Sequence, residues 1–197
     1  MNIFNLKETD CKKQLKLLSI CFFSAFIIWA VLFILRMSID DSQHETNISK
    51  IDNSTNVLTD VFKAHSTENH NKVFYLIISN NIKVVIINIL GGVFLGLGTF
   101  VNLAQNGFFA ADVFCTVHKR GMSWSKIIEY TAPHSFEMIG IWLSGGIGFY
   151  IALLFINMMV KNKYPNSINF KIIIGSIVSI ALIITSSAYI EAYVSIK

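Results

Sequence analysis

The residues of this chain that could do chemistry are a few polar side chains set in apolar surroundings. His134 and Glu137 belong to the sequence PHSFE, and their spacing of three places both side chains on one helix face. Such a pair suits either a hydrogen-bonded helix start or a binding or proton-handling site. HxxE alone supplies only two ligands, and no second histidine motif of the metalloprotease type is present. We therefore expect no metal site.

A further acid, Glu191, lies in the sequence SSAYIEAYVS, whose apolar pattern continues beyond it. An acid inside an apolar helix is costly unless it is paired or protonated, which makes it a functional candidate, whereas at the headgroup level it would cost little. Buried polar groups are hydrogen-bonded. We therefore predict one polar intramembrane network between helices, formed by Asn81, Asn106, His134, Glu137 and Glu191.

The chain lacks the motifs of soluble catalysis and of nucleic-acid binding. Its glycines lie in an apolar run without the lysine of a phosphate loop, and no GxSxG elbow occurs. The net charge of +4 is modest and spread over termini and loops. The three cysteines, Cys11, Cys21 and Cys115, are scattered and imply no disulfide framework. We expect no catalytic residues, no cofactor and no nucleic-acid partner.

The composition shows which elements must position these side chains. Hydrophobic residues make up 53% of the chain and charged residues 14%, against about a quarter charged in soluble domains. Four charge-free runs are long enough to span a bilayer, which takes about 20 residues. They are Leu17–Leu35, Val84–Ala111, Met138–Val160 and Ile172–Ile190. This pattern predicts an all-α, multi-pass integral membrane protein of the cell membrane.

Small residues are concentrated in two of these runs, in the sequences LGGVFLGLG and LSGGIGF. Small residues four apart let helix backbones approach closely, and tight packing is the simpler interpretation of the two similar segments; a repeat flanking a translocation path is the alternative. The predicted helix-packing residues are Gly91, Gly92, Gly96, Gly98, Gly140, Ser144 and Gly148.

The chain divides into an N-terminal tail and anchor helix (1–36), a polar extracytoplasmic segment (37–72) and a membrane core (73–197). We expect an interfacial elbow helix over residues 72–83, bending at Asn80-Asn81, and then a spanning helix near 82–101. Residues 106–132 predict two half-length helices, either a short span with a surface helix or a re-entrant hairpin. Lysine and arginine counts do not decide between these topologies. We therefore predict about five transmembrane helices, of which the third element is short or re-entrant.

The order of these features resembles the stage II sporulation protein M family of bacterial membrane proteins. The resemblance covers about residues 72–192 and depends on FYLIISNN, GGVFLGLGTF, the Asn106-Gly107 pair, PHSFE and IEA. Ser135 replaces the usual glycine after the histidine. Ala110, Ala111 and Asp112 stand where relatives tend to have glycine, which leaves the following helix open to remodelling.

The resemblance implies a non-enzymatic multispanning protein. Founding members anchor peptidoglycan-degrading partners at the septal membrane during endospore formation, and other relatives are linked to circular bacteriocin production or self-protection. Three interpretations stay open: a scaffold for cell-wall or export proteins, a transport or immunity component working with a separate ATPase subunit, and an intramembrane enzyme using His134 and Glu137. We prefer the scaffold. The expected partners are membrane lipid and other membrane or cell-wall proteins, with homo-oligomerisation left open.

Overall fold

The computed structural model describes residues 8–39, 69–131, 135–161 and 168–194, and the regular elements in these ranges are all α-helices. Most of the predicted polar segment (residues 40–68) and His134 lie outside the described residues, so the expectations for them stay predictions. The helices are α1 (Glu8–Ser38), α2 (His70–Gly91), α3 (Leu97–Lys119), α4 (Trp124–Thr131), α5 (Ser135–Lys161) and α6 (Phe170–Tyr193).

The predicted all-α membrane class is confirmed. Four stretches are long and apolar enough to cross a bilayer: Cys11–Ser38, His70–Gly91, Ser135–Val160 and Phe170–Tyr193. Asparagine side chains start two of these helices. Asn69 accepts a hydrogen bond from the Lys72 amide at 3.0 Å and Asn169 one from the Lys171 amide at 3.1 Å, which satisfies amides that have no partner within the helix.

Contacts along the helices define two faces of the bundle. The proximal face is where α1 and α6 begin, because Gln14 Nε2 donates to the Asn169 carbonyl at 3.2 Å and Gln14 Oε1 accepts from the Asn169 amide at 2.8 Å. The distal face is where α1 ends and α2 begins. There Arg36 contacts Asp112, and His70 Nδ1 lies 2.9 Å from the Ala192 carbonyl.

The long helices alternate in direction between these faces. α3 runs parallel to α1, since Gly107 lies against the Trp29 carbonyl and Cys115 against Met37 further along both helices. α5 runs antiparallel to α1, because Phe22 abuts Gly146 while Phe26, later in α1, stacks edge-on against Trp142. α1, α3 and α6 therefore run from the proximal to the distal side, and α2 and α5 run back.

The first helix of the core differs from the prediction. α2 passes through Asn80 and Asn81 without a bend, and the chain turns instead at residues 92–96. Asn80 faces solvent or lipid and Asn81 is buried against other helices, so neither side chain requires a break. At the turn, Leu95 has φ 55° and Gly96 φ 83°. This left-handed geometry, which is costly for leucine, lies at the end of the turn and directs the chain into the next helix, whose N-cap is Gly96.

The third element is also different from the two half-length helices predicted over residues 106–132. α3 is one helix of 23 residues that passes through Asn106 and Gly107. Asp112 does not interrupt it because Arg36 of α1 compensates its charge. Only the second predicted short helix forms, as the eight-residue α4.

The directions of the helices predict where the loops lie in the cell. With the basic N-terminus inside, the proximal face is cytoplasmic and the loop before α4 is outside. In a cysteine-free background, Ser123→Cys should react with an impermeant maleimide on intact cells, whereas Lys13→Cys should react only after the cells are broken; both positions are exposed. Labelling in the reverse order would show that the orientation is inverted.

Candidate functional site

Five polar side chains in the middle of the bundle form a cluster that we call the amide layer. Asn88 Nδ2 donates to Ser144 Oγ at 2.8 Å and to the Ile141 carbonyl at 3.2 Å. Asn102 Nδ2 donates to Asn88 Oδ1 at 2.7 Å. These bonds link α2, α3 and α5. The members of the layer are Asn88, Thr99, Asn102, Asn106 and Ser144.

Backbone carbonyls complete the hydrogen bonding of this layer. Thr99 Oγ1 donates to the Asn88 carbonyl at 2.7 Å, and Asn106 Nδ2 donates to the Asn102 carbonyl at 2.8 Å. Asn88, Thr99 and Ser144 have no solvent exposure. A buried amide is costly when unpaired, so a layer whose donors are bonded holds its helices in one arrangement.

On the proximal side of this layer, glycines let the backbones of neighbouring helices come into contact. A Cβ on Gly92 would overlap the carbonyl oxygen of Gly148, and a Cβ on Gly148 would overlap the carbonyl oxygen of Asn88. A Cβ on Gly98 would lie 2.8 Å from the Cα of Gly91. α2, α3 and α5 therefore meet backbone to backbone, as small residues allow in membrane bundles.

The remaining predicted packing residues contact side chains. A Cβ on Gly140 would lie 2.7 Å from Ile184 Cδ1 of α6, and one on Gly96 would lie 3.2 Å from the ring of Phe149. The Ser144 hydroxyl contacts the Asn88 side chain of α2, from which it accepts at 2.8 Å, and it donates to the Ile141 carbonyl of its own helix at 2.7 Å.

A second polar group lies nearer the distal face, at the junction of α2, α5 and α6. Asn88 meets Ser144 at a sequence offset of 56, and Gly92 meets Gly148 at the same offset. α2 and α5 are parallel, so one heptad earlier this offset pairs Asn81 with Glu137. α5 and α6 are antiparallel with Gly140 against Ile184, so one turn toward the distal face pairs Glu137 with Ser187. Glu191 follows Ser187 by about one helix turn toward the distal face, and we call Asn81, Glu137, Ser187 and Glu191 the acidic junction.

The acidic junction is less completely bonded than the amide layer. Asn81 and Ser187 are each 1% exposed, and neither Asn81 Nδ2 nor Ser187 Oγ has a hydrogen-bond partner among the described residues. Glu137 and Glu191 are half-buried. Their oxygens and the Asn81 amide are suited to binding water, a proton or a small cation. Within the described ranges, no three His, Cys, Asp or Glu side chains are grouped to hold a metal ion.

An ion pair between α1 and α3 was not predicted from the sequence. Arg36 Nε donates to Asp112 Oδ1 at 3.1 Å, and Arg36 is 6% exposed. The two residues are 76 apart in the chain, so no local spacing links them.

The described residues of the predicted network lie in or beside these two groups. Asn106 lies in the amide layer, whereas Asn81, Glu137 and Glu191 belong to the acidic junction. Their union with His134 into one network stays a prediction. The prediction missed Asn88, Thr99 and Asn102. A helical spacing of Thr99, Asn102 and Asn106 at three and four residues was the signal that could have found two of them, since such residues share one face.

Comparisons with known proteins give the family. The family model described as stage II sporulation protein M matches residues 19–196. An uncharacterised protein of the archaeon Methanocaldococcus jannaschii is 30% identical over 128 residues, which cover 63% of this chain and 71% of the relative. No solved structure matches the chain. The chain therefore belongs to the stage II sporulation protein M family.

Proposed function

We propose that this protein is a non-enzymatic scaffold of the bacterial cell membrane that recruits cell-wall or export partners. The observation that supports this most is the amide layer. Its donors bond to other members of the layer or to backbone carbonyls across α2, α3 and α5, which favours one rigid arrangement of helices. A rigid bundle suits an anchor that presents constant surfaces to its partners.

The outward surface of the bundle is consistent with that role. The apolar windows of α1 and α6 are only 11% and 22% buried within the protein, against 50% for α5. α1 and α6 thus keep broad apolar faces that lipid or the helices of other membrane proteins can cover. Family membership agrees with a multispanning protein, and the choice of partners is part of the proposal.

A second candidate is a transport or self-immunity component that works with a separate ATPase. The acidic junction favours it, because Asn81 Nδ2 and Ser187 Oγ are buried without a partner among the described residues and lie at the level of Glu137. Polar groups of this kind inside a membrane often mark a path for protons or ions.

Glu137→Gln separates the two candidates. Glutamine keeps the size of the side chain and one acceptor oxygen but cannot ionise, so a scaffold should retain most of its activity and a proton- or cation-handling transporter should lose it. The measurement is the phenotype indicated by the neighbouring genes (sporulation or bacteriocin resistance) at matched membrane abundance, with co-purification of partners from the native host. Glu129→Gln, at an exposed position on α4, is the control. Loss of the phenotype in Glu137→Gln alone, with unchanged partner capture, would contradict the scaffold.

A further inference from the structure

The turn between α2 and α3 lies at an unusual depth. Gly92 abuts the carbonyl of Gly148, and Gly96 lies against Phe149 and Ala152. The charge-free run of α5 extends from Met138 to Val160, so the turn contacts its middle rather than its end. α5 continues for nine residues from Ala152 to Lys161, which is about 13 Å of helix beyond the turn.

α1 also continues past the turn on the proximal side. Phe22 abuts Gly146, which is close to the level of the turn. From Phe22, α1 extends back to Gln14, which bonds to Asn169 at the start of α6, and eight residues of helix are about 12 Å long. The proximal part of the bundle is therefore built by α1, α5 and α6 without α2 or α3.

The apolar arms of the α2–α3 hairpin are too short to cross a membrane. Between the exposed Lys83 and the turn, α2 offers Val84–Gly91, eight residues or about 12 Å. α3 offers Leu97–Ala111 before Asp112, which is about 22 Å. The hydrocarbon core is about 30 Å thick. α2 as a whole is long enough to span, but that placement would put Lys83 in hydrocarbon and the turn at the far surface.

The chemistry of the turn fits a position in hydrocarbon. Its outward side chains are apolar: Val93, Phe94, Leu95 and Leu97 are 46%, 70%, 47% and 68% exposed. Within the turn, the amides of Gly92 and Val93 donate to the Ile89 and Leu90 carbonyls at 3.2 and 3.0 Å, and the Phe94 carbonyl accepts from the Leu97 amide at 3.1 Å. Irregular backbone at membrane depth requires protein beside it, which α5 provides on the side of Gly92 and Gly96.

The geometry points to a re-entrant hairpin whose turn, residues 92–96, is a lipid-binding surface at mid-membrane. The hairpin enters and leaves through the distal face, and the acyl chains of proximal-leaflet phospholipids occupy the space next to the turn. The proximal halves of α1 and α5 expose Phe23, Phe155, Ile156 and Met159 to these chains, and the exposed Asn157 bonds to the Leu153 carbonyl of its own helix. Three helices then cross the membrane completely: α1, α5 and α6.

Spin-label depth measurements test this arrangement. Phe94→Cys in a cysteine-free background is labelled and reconstituted in phosphatidylcholine vesicles, and the collision rates with oxygen and with a water-soluble nickel chelate are compared. A label on Met159→Cys, 70% exposed near the proximal end of α5, is the reference. The re-entrant hairpin predicts a label at residue 94 near the bilayer centre, where oxygen collisions far exceed those of the chelate, and a label at residue 159 near the proximal headgroups.

Leu97→Cys, 68% exposed on the other side of the turn, gives a second reading if Phe94→Cys does not fold, and it should also be deeper than residue 159. A label at residue 94 or 97 that behaves as an interfacial one, with the label at residue 159 fully in water, would overturn the proposal, because it would place the turn at the proximal surface. This outcome does not depend on the function of the protein.

Discussion

Gly92→Ala should abolish most of the folded protein recovered in detergent. Its new methyl group would overlap the carbonyl oxygen of Gly148, and the three nearest heavy atoms are all backbone atoms of that residue in α5. A flexible side chain could turn away, but two helix backbones can only separate. Overpacking typically costs about 1–3 kcal/mol, and separation would also strain the nearby amide layer. The measurements are the monodisperse fraction by size-exclusion chromatography and the melting temperature.

Gly175→Ala is the matched control for this change. Gly175 is exposed within α6, and a Cβ built there meets no heavy atom within 4 Å. Alanine is favoured over glycine inside a helix by about 1 kcal/mol, so this variant should be as stable as the natural protein or more stable. Equal yield and melting temperature for both variants would show that α2 and α5 are not in backbone contact.

The sequence was sufficient to predict the class of fold because a segment that crosses the hydrocarbon core must be apolar and must bond its own backbone groups, which a single helix does. The four charge-free runs identified α1, α5, α6 and the region of α2 and α3. The position of the turn was not predicted. Val84–Ala111 has no charge to mark a break, so hydropathy cannot distinguish one helix from two arms of a hairpin, and Gly96 follows Gly91 and Gly92 too closely to identify which of them turns the chain.

The polar sites were harder to predict for a different reason. A helical face can be recognised from spacing, but its partner depends on how two helices cross. Asn88 and Ser144 are 56 residues apart, and the ion pair of Arg36 and Asp112 spans 76. Glu137 and Glu191 drew attention because charge is rare in an apolar run. Asn88 and Asn102 also stand out, because amides in a charge-free run indicate that the helix packs against other helices or lines a polar cavity, but their positions do not identify the groups that they bond.

Asn88→Leu should lower the free energy of unfolding by roughly 2 kcal/mol, because it removes three side-chain hydrogen bonds and such bonds average about 0.6 kcal/mol in membrane proteins. Asn157→Leu is the control, since that exposed residue bonds only to the Leu153 carbonyl of its own helix and should lose little. Unfolding by sodium dodecyl sulfate, followed by circular dichroism, measures both variants.

Asn88→Asp shows whether the stability depends on the hydrogen bonds of Asn88 or on the shape of its side chain. Aspartate nearly matches asparagine in volume but has an oxygen in place of Nδ2 and cannot donate there. Its carboxylate would face the Ile141 carbonyl, now an acceptor opposite an acceptor, in a site with no solvent exposure. We therefore expect Asn88→Asp to destabilise the protein more than Asn88→Leu does. If shape alone mattered, Asn88→Asp would be tolerated and only Asn88→Leu would be unstable, and the amide layer would then be a packing feature rather than the bonded centre that holds α2, α3 and α5 together.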